Sequence, residues 1–140
     1  MTAAPVIDAD FLRKLGLKPG HRLGLVGAPG EWVKALGHIA DAAAWRSIAK
    51  AREADVILVW LEPSDDLRAT FDALESRIPP DGAVWAVIPK KSALAKGEDA
   101  VEWATMQAAG LASGRLVDNK ELRFDDRYYG TRFVVRKEQR

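Results

Sequence analysis

Apolar positions along the chain come in two patterns, short unbroken runs and spaced stripes. The clearest runs are "DVILVWLE" (55–62) and "AVWAVIPKK" (83–91). Each is rich in β-branched and aromatic residues, and each is bounded by turn-forming or charged residues. That pattern predicts strands covered on both faces, as in a parallel sheet. A shorter run, "HRLGLVGA" (21–28), predicts the first strand through Leu23, Leu25 and Val26. The clearest stripe lies in "PSDDLRATFDALESRIPP" (63–80). Leu67, Phe71, Leu74 and Ile78 share one helical face, Ser64 or Asp65 is placed to cap it, and Pro79-Pro80 to stop it. Trp32, Val33 and Leu36 predict a helix over "PGEWVKALG" (29–37), with Gly37 as its stop. "EDAVEWATMQAAG" (98–110) predicts another, with Val101, Ala104, Ala108 and Leu111 aligned. "DFLRKLGLKPG" gives a short helical turn broken by Gly16 and Pro19-Gly20. Residues 41–54 read either as helix or, through "AAWRSI", as a short edge strand.

Two strands close the chain. "RLVDNKELRF" (115–124) carries the charges of an edge strand, and "YYGTRFVVR" (128–136) is the more apolar. Three residues between them predict an antiparallel hairpin. Strands alternating with helices predict a parallel α/β sheet between helix layers, and the hairpin adds one antiparallel strand. With "AAWRSI" as the second strand, the expected order is 2-1-3-4-6-5, strand 6 alone antiparallel. Right-handed crossovers place the 63–80 and 98–110 helices on one side and the 29–37 helix on the other.

The 140 residues are expected to form one domain, with residues 1–10 and 137–140 loosely held. Twenty-one Lys and Arg against 20 Asp and Glu leave a net charge of +1, which argues against nucleic acid as a partner. The absence of cysteine removes disulfides, thiolate metal sites and cysteine nucleophiles, and fits a reducing compartment. With His21 and His38 the only imidazoles, no metal site and no serine–histidine relay is expected. The opening "MTAAPVIDADFLRKL" has acids before its first bases and no long apolar region, unlike a secretory signal. The longest apolar runs fall far short of a membrane span. A cytoplasmic location is the expectation.

Chemistry is expected outside the carboxyl ends of the strands, near the switch in strand order. Three loops meet there: 27–31, 62–64 and 89–92. Gly27, Ala28 and Gly30 allow close backbone approach, Glu62 follows the third strand, and Lys90 and Lys91 follow the fourth. These six are the candidate ligand-binding residues, for a small anionic ligand or a protein partner. The alternative is a glycine turn shaped for its dihedrals, with lysines simply solvated or one paired with Glu62. Trp60 and Trp85 are expected in the core; core packing is the preferred reading for Trp32 and Trp103 as well, with partial exposure as a partner surface the alternative. Arg132 is expected to pair across strands with Asp118 or Glu121. No catalytic residue stands out.

The order strand, amphipathic helix, "PPDG", apolar strand, helix, charged strand, apolar strand resembles the second half of class I S-adenosylmethionine-dependent methyltransferases, which have a Rossmann-like fold. "RKLGLKPG", "RLGLVGAPGEW", "ADVILVW", "PPDGAVWAVIPKK", "AAGL…RLVDNK" and "YYGTRFVVRK" together resemble a bacterial domain-of-unknown-function family of short proteins. That resemblance spans nearly the whole chain and implies the fold, with no activity attached. Against the methyltransferase pattern, 26–31 lacks the GxGxG turn, Pro29 has no N–H to donate, and no acid follows "AAWRSI" to grip a ribose. The ~27 residues from Ala28 to Asp55 are too few for two strand–helix units. The aromatic catalytic motif of nitrogen methyltransferases is replaced by "LEPSDD". These departures imply a non-catalytic binding or regulatory module with no bound cofactor. The rival expectations are a minimal S-adenosylmethionine- or nucleotide-dependent transferase and a nucleic-acid accessory protein.

Overall fold

Six strands form one mixed sheet in a computed structural model that describes residue 5 and residues 7–140. Expectations for residues 1–4 and 6 lie outside the described residues. Helix α1 (Ala9–Leu15) is capped by Asp8, whose carboxylate accepts from the Phe11 amide, and ends at Gly16. Strand β1 (Leu23–Val26) leads into α2 (Gly30–Ala40), followed by the short strand β2 (Ala43–Trp45) and a 3-10 turn at Ile48–Lys50. Strand β3 (Val56–Trp60), helix α3 (Leu67–Glu75), strand β4 (Ala83–Pro89) and helix α4 (Trp103–Leu111) come next. Strands β5 (Leu116–Arg123) and β6 (Tyr128–Val135) complete the sheet, and Lys137–Gln139 form a final 3-10 turn.

The strand order is β2-β1-β3-β4-β6-β5, as expected. β1, β2, β3 and β4 run parallel, and β6 is antiparallel to β4 and β5. Side-chain alternation divides the core. Ile57, Val59, Val84, Ala86 and Phe133 pack with Phe71 and Leu74 of α3 and Met106 of α4. Leu25, Leu58, Trp60, Trp85 and Val87 pack with Phe11 and Leu15 of α1 and Trp32 and Leu36 of α2. The helices therefore lie on the sides that right-handed crossovers dictate.

Several local expectations are corrected. α2 runs through Gly37 to Ala40, and Asp41 stops it with φ of 51°. Burial of Trp32 and Leu36 outweighs the modest helix cost of an internal glycine, about 1 kcal/mol, and Asp tolerates the left-handed region. The cap of α3 is Asp66, which accepts from the Ala69 amide at 3.0 Å; Asp65 instead holds the Glu62 amide at 2.8 Å. α3 ends at Glu75, ahead of the Pro79-Pro80 pair. α4 starts at Trp103 rather than Glu98, because Glu98 is drawn away to Arg127 at 2.6 Å and to the Ala95 amide. Its buried positions are Met106 and Gly110, whereas Ala104 and Ala108 are exposed. A helix that is apolar on most sides gives no contrast from which to read its inner face. Gly110 is there because Phe133 lies against it: a Cβ would stand 2.3 Å from the ring. Residues 43–45 are strand, settling the ambiguous segment in favour of an edge.

Candidate functional site

The carboxyl ends of β1, β3 and β4 share one edge of the sheet, and the β5–β6 hairpin tip reaches the same edge, since Pro89 pairs with Tyr128. At the end of β1 the chain turns sharply. Gly27 has φ of +66° and donates its N–H to the Trp45 carbonyl at 2.9 Å. Ala28 packs against the aromatic cluster beneath. Pro29 is the N-cap of α2, and its carbonyl accepts from the Trp32 and Val33 amides. No side chain caps this helix, so the amides of Gly30 and Glu31 fall outside the helical ladder.

Beyond β3, the Leu61 amide still bonds the Val87 carbonyl at 3.1 Å, and exposed Glu62 begins a turn closed by Asp65. Beyond β4, Lys90 is tied to the hairpin through its amide and the Arg127 carbonyl at 2.8 Å. Lys91 opens a 3-10 turn, Lys91–Ala93. Among the described residues, Glu62, Lys90 and Lys91 form no ion pair, so the lysine–Glu62 pair that the alternative reading allowed is not made. The six candidates thus share one edge, but they divide into two places. Gly27, Ala28, Gly30 and Glu62 border the β1–β3 switch, where the chain departs to opposite sides of the sheet. Lys90 and Lys91 stand instead at the end of β4, Lys90 tied by its amide to the hairpin tip and Lys91 lining a cleft of about 430 Å³ on the α4 side.

That cleft has an apolar floor of Ile88, Val101, Trp103 and Tyr129, and a rim carrying Glu98, Asp99 and Glu102 beside Lys91. Trp103 is held by an indole N–H donated to the Thr131 hydroxyl at 3.0 Å. Burial, with the Glu121 charge, raises the Tyr129 phenol above its ordinary pKa. The Arg127 guanidinium and the Ala95 amide hold the Glu98 carboxyl below its usual range. Arg127 also lies over the Tyr128 ring, 5.5 Å from its centroid. The cleft surrounds its single lysine with carboxylates, a setting that disfavours an anion.

On the α2 side of the same edge, aromatic rings fill the space. Trp32 is fully buried, in line with the core-packing reading, and Trp103 is half-buried. Trp32 packs on Trp60 at 5.8 Å and on Phe124 at 5.3 Å, and Trp60 on Tyr128 at 6.4 Å. The Trp32 indole N–H donates to Asp125 at 2.9 Å, and the same carboxylate accepts from the Arg127 and Tyr128 amides. Asp125 was legible in the sequence only as a turn residue. Its second task, fastening the hairpin to α2, joins residues 93 apart.

Arg132 makes neither expected cross-strand pair. A bulge between Asp118 and Lys120 sets Lys120 opposite Arg132, and Asp118 faces α4 and accepts from Gln107 at 3.1 Å. His21 accepts from the Lys18 amide ahead of β1, at the other edge of the sheet. Among the described residues no helix is long and apolar enough to cross a membrane.

No family model matches the chain, and no curated protein does. Solved structures do. The N-methyltransferase NodS from Bradyrhizobium japonicum WM9, in complex with S-adenosyl-L-homocysteine, is 14% identical, with a TM-score of 0.56 over 91% of this chain and 85% of that one. The ribosomal protein L11 methylase from Lactobacillus delbrueckii subsp. bulgaricus is 17% identical, with a TM-score of 0.55 over 89% of this chain and 74% of that one. A TehB-like SAM-dependent methyltransferase from Corynebacterium glutamicum is 8% identical, with a TM-score of 0.56 over 89% and 85%. At these identities the likeness establishes a Rossmann-like, methyltransferase-like fold and carries no activity across.

Proposed function

We propose that this chain uses a methyltransferase-like fold as a binding or regulatory module, without methyl transfer of its own. The observation that supports this most is the end of β2. Trp45 pairs with Val26, so the next residue stands beside the Gly27 turn, where a carboxylate would have to accept from a ribose diol. That residue is Arg46, exposed and able only to donate. Pro29 at the helix cap removes one more amide from the turn. The residues present at this turn do not fit S-adenosylmethionine. The cleft beyond β4, with its apolar floor and mostly acidic rim, is the better receptacle for a small ligand.

The rival reading is a minimal S-adenosylmethionine- or nucleotide-dependent transferase. It is favoured by the sharp positive-φ glycine turn after β1 and by the fold shared with NodS. Thermal unfolding with S-adenosylmethionine, S-adenosylhomocysteine and nucleotides separates the two. A ligand at 100 times its dissociation constant stabilises by about 2.7 kcal/mol. The module reading expects no shift with any of them. A saturable shift with S-adenosylmethionine would return the chain to the enzymes.

A further inference from the structure

Thr131, Phe133 and Val135 face the α4 side of β6, so Arg132 faces α1, opposite Trp85 on β4 and Lys120 on β5. Its guanidinium lies against the end of α1, with one terminal nitrogen 3.4 Å from where a Cβ on Gly16 would stand. Among the described residues its buried Nε has no hydrogen-bond partner and no ion pair forms to Arg132.

The neighbouring groups make this costly. Lys120 is directly across the strand, and burial, with the charge of Arg140 as a lesser cause, lowers the Arg132 pKa from its ordinary value. The acid on α1, Asp10, is engaged by Arg13 and Lys14. Asp118 and Glu121 belong to the other face, where Asp118 meets Gln107 and Glu121 acts on Tyr129. The last carbonyls of α1 are also taken: Lys14 accepts from Lys120 at 3.3 Å, and Leu15 from the Trp85 indole at 3.0 Å. A half-buried guanidinium facing other cations without a counter-charge is unfavourable unless something supplies one.

We propose that Arg132 and Lys120 form an oxyanion site of the phosphate class on the α1 face of the β5–β6 hairpin. A guanidinium fork binds two oxygens of a tetrahedral anion at once, and an ammonium alongside takes a third. The bulge at Asp118/Lys120 gives the site its second cation: without it, register would set Asn119 opposite Arg132. The site stands apart from the strand-end loops and does not rest on the module reading.

The test is thermal unfolding in inorganic phosphate, with chloride balancing ionic strength, for the wild type, Arg132→Gln and Lys120→Gln. The wild-type midpoint should rise saturably with phosphate. Arg132→Gln should weaken the apparent phosphate affinity about tenfold or more, the loss expected for one charge-assisted contact. In chloride alone Arg132→Gln should be no less stable than the wild type, because like-charge repulsion is relieved. If Arg132→Gln fails to fold, Lys120→Gln, on the exposed strand, carries the test by the same criterion. A nucleoside monophosphate and a phosphoserine peptide, run beside free phosphate and acetate, identify the source of the anion. Equal phosphate responses in the wild type and both variants, or no wild-type response, would overturn the site.

Discussion

Replacing Asp125 by Ala probes the fastening between the hairpin tip and α2. The carboxylate accepts three N–H groups: the Trp32 indole at 2.9 Å and the amides of Arg127 and Tyr128 at 2.8 and 2.7 Å. Hydrogen bonds to a charged acceptor contribute about 1.5–3 kcal/mol each, but water can replace the acceptor for the two turn amides. The indole has no such recourse. Trp32 is 0% exposed, so its N–H would be left unsatisfied at a cost of about 1–3 kcal/mol. Together the loss should be about 3 kcal/mol. Urea unfolding followed by circular dichroism measures it, with an unchanged denaturant slope confirming that the native state keeps its compactness. A double-mutant cycle with Trp32→Phe isolates the indole bond and should give a coupling of at least about 1 kcal/mol. A loss below about 1 kcal/mol, or the same loss in the Trp32→Phe background, would refute the fastening.

Other perturbations follow from the same geometry. Gly110→Ala should destabilise by about 1–3 kcal/mol despite its better helix propensity, since the new methyl meets the Phe133 ring; Phe133→Leu should relieve most of that penalty in chemical denaturation. Gly27→Ala should cost about 1–3 kcal/mol from its positive φ, measured the same way. Asp55 gives the acid limb of stability. Its carboxylate accepts from the Arg22 amide at 2.7 Å, which holds its folded pKa below the unfolded value near 4. Its contribution is therefore complete above that unfolded value and is lost as pH falls through the folded pKa. Asp55→Asn should flatten the fall in melting temperature below about pH 4.

The sheet was readable because its two central strands are buried on both faces. Val56–Trp60 and Ala83–Pro89 leave no polar interruption that a helix would need, and the charged Leu116–Arg123 strand declares itself an edge. α3 was readable through its stripe, though not its cap, because three acids or hydroxyls in a row compete for one role and only the path of the turn selects Asp66. α4 hid its inner face behind uniform apolarity. The site was harder still. Lys90 and Lys91 are adjacent in sequence but lead to different surroundings, one to the Arg127 carbonyl and one to the cleft. Trp32 with Asp125, and Arg132 with Lys120, depend on contacts 93 residues apart and on a one-residue bulge. Neither leaves a local trace in the sequence.

The central claim, a methyltransferase-like fold without its cofactor chemistry, is tested most directly by nuclear magnetic resonance of the ¹⁵N-labelled protein titrated with S-adenosylhomocysteine. The amides of Gly27, Ala28, Gly30 and Glu62 border the β1–β3 switch, and those of Lys90 and Lys91 report on the end of β4. The account predicts no saturable shift at Gly27, Ala28, Gly30 and Glu62. Saturable shifts confined to those four would place the nucleoside in the strand-end crevice and contradict it.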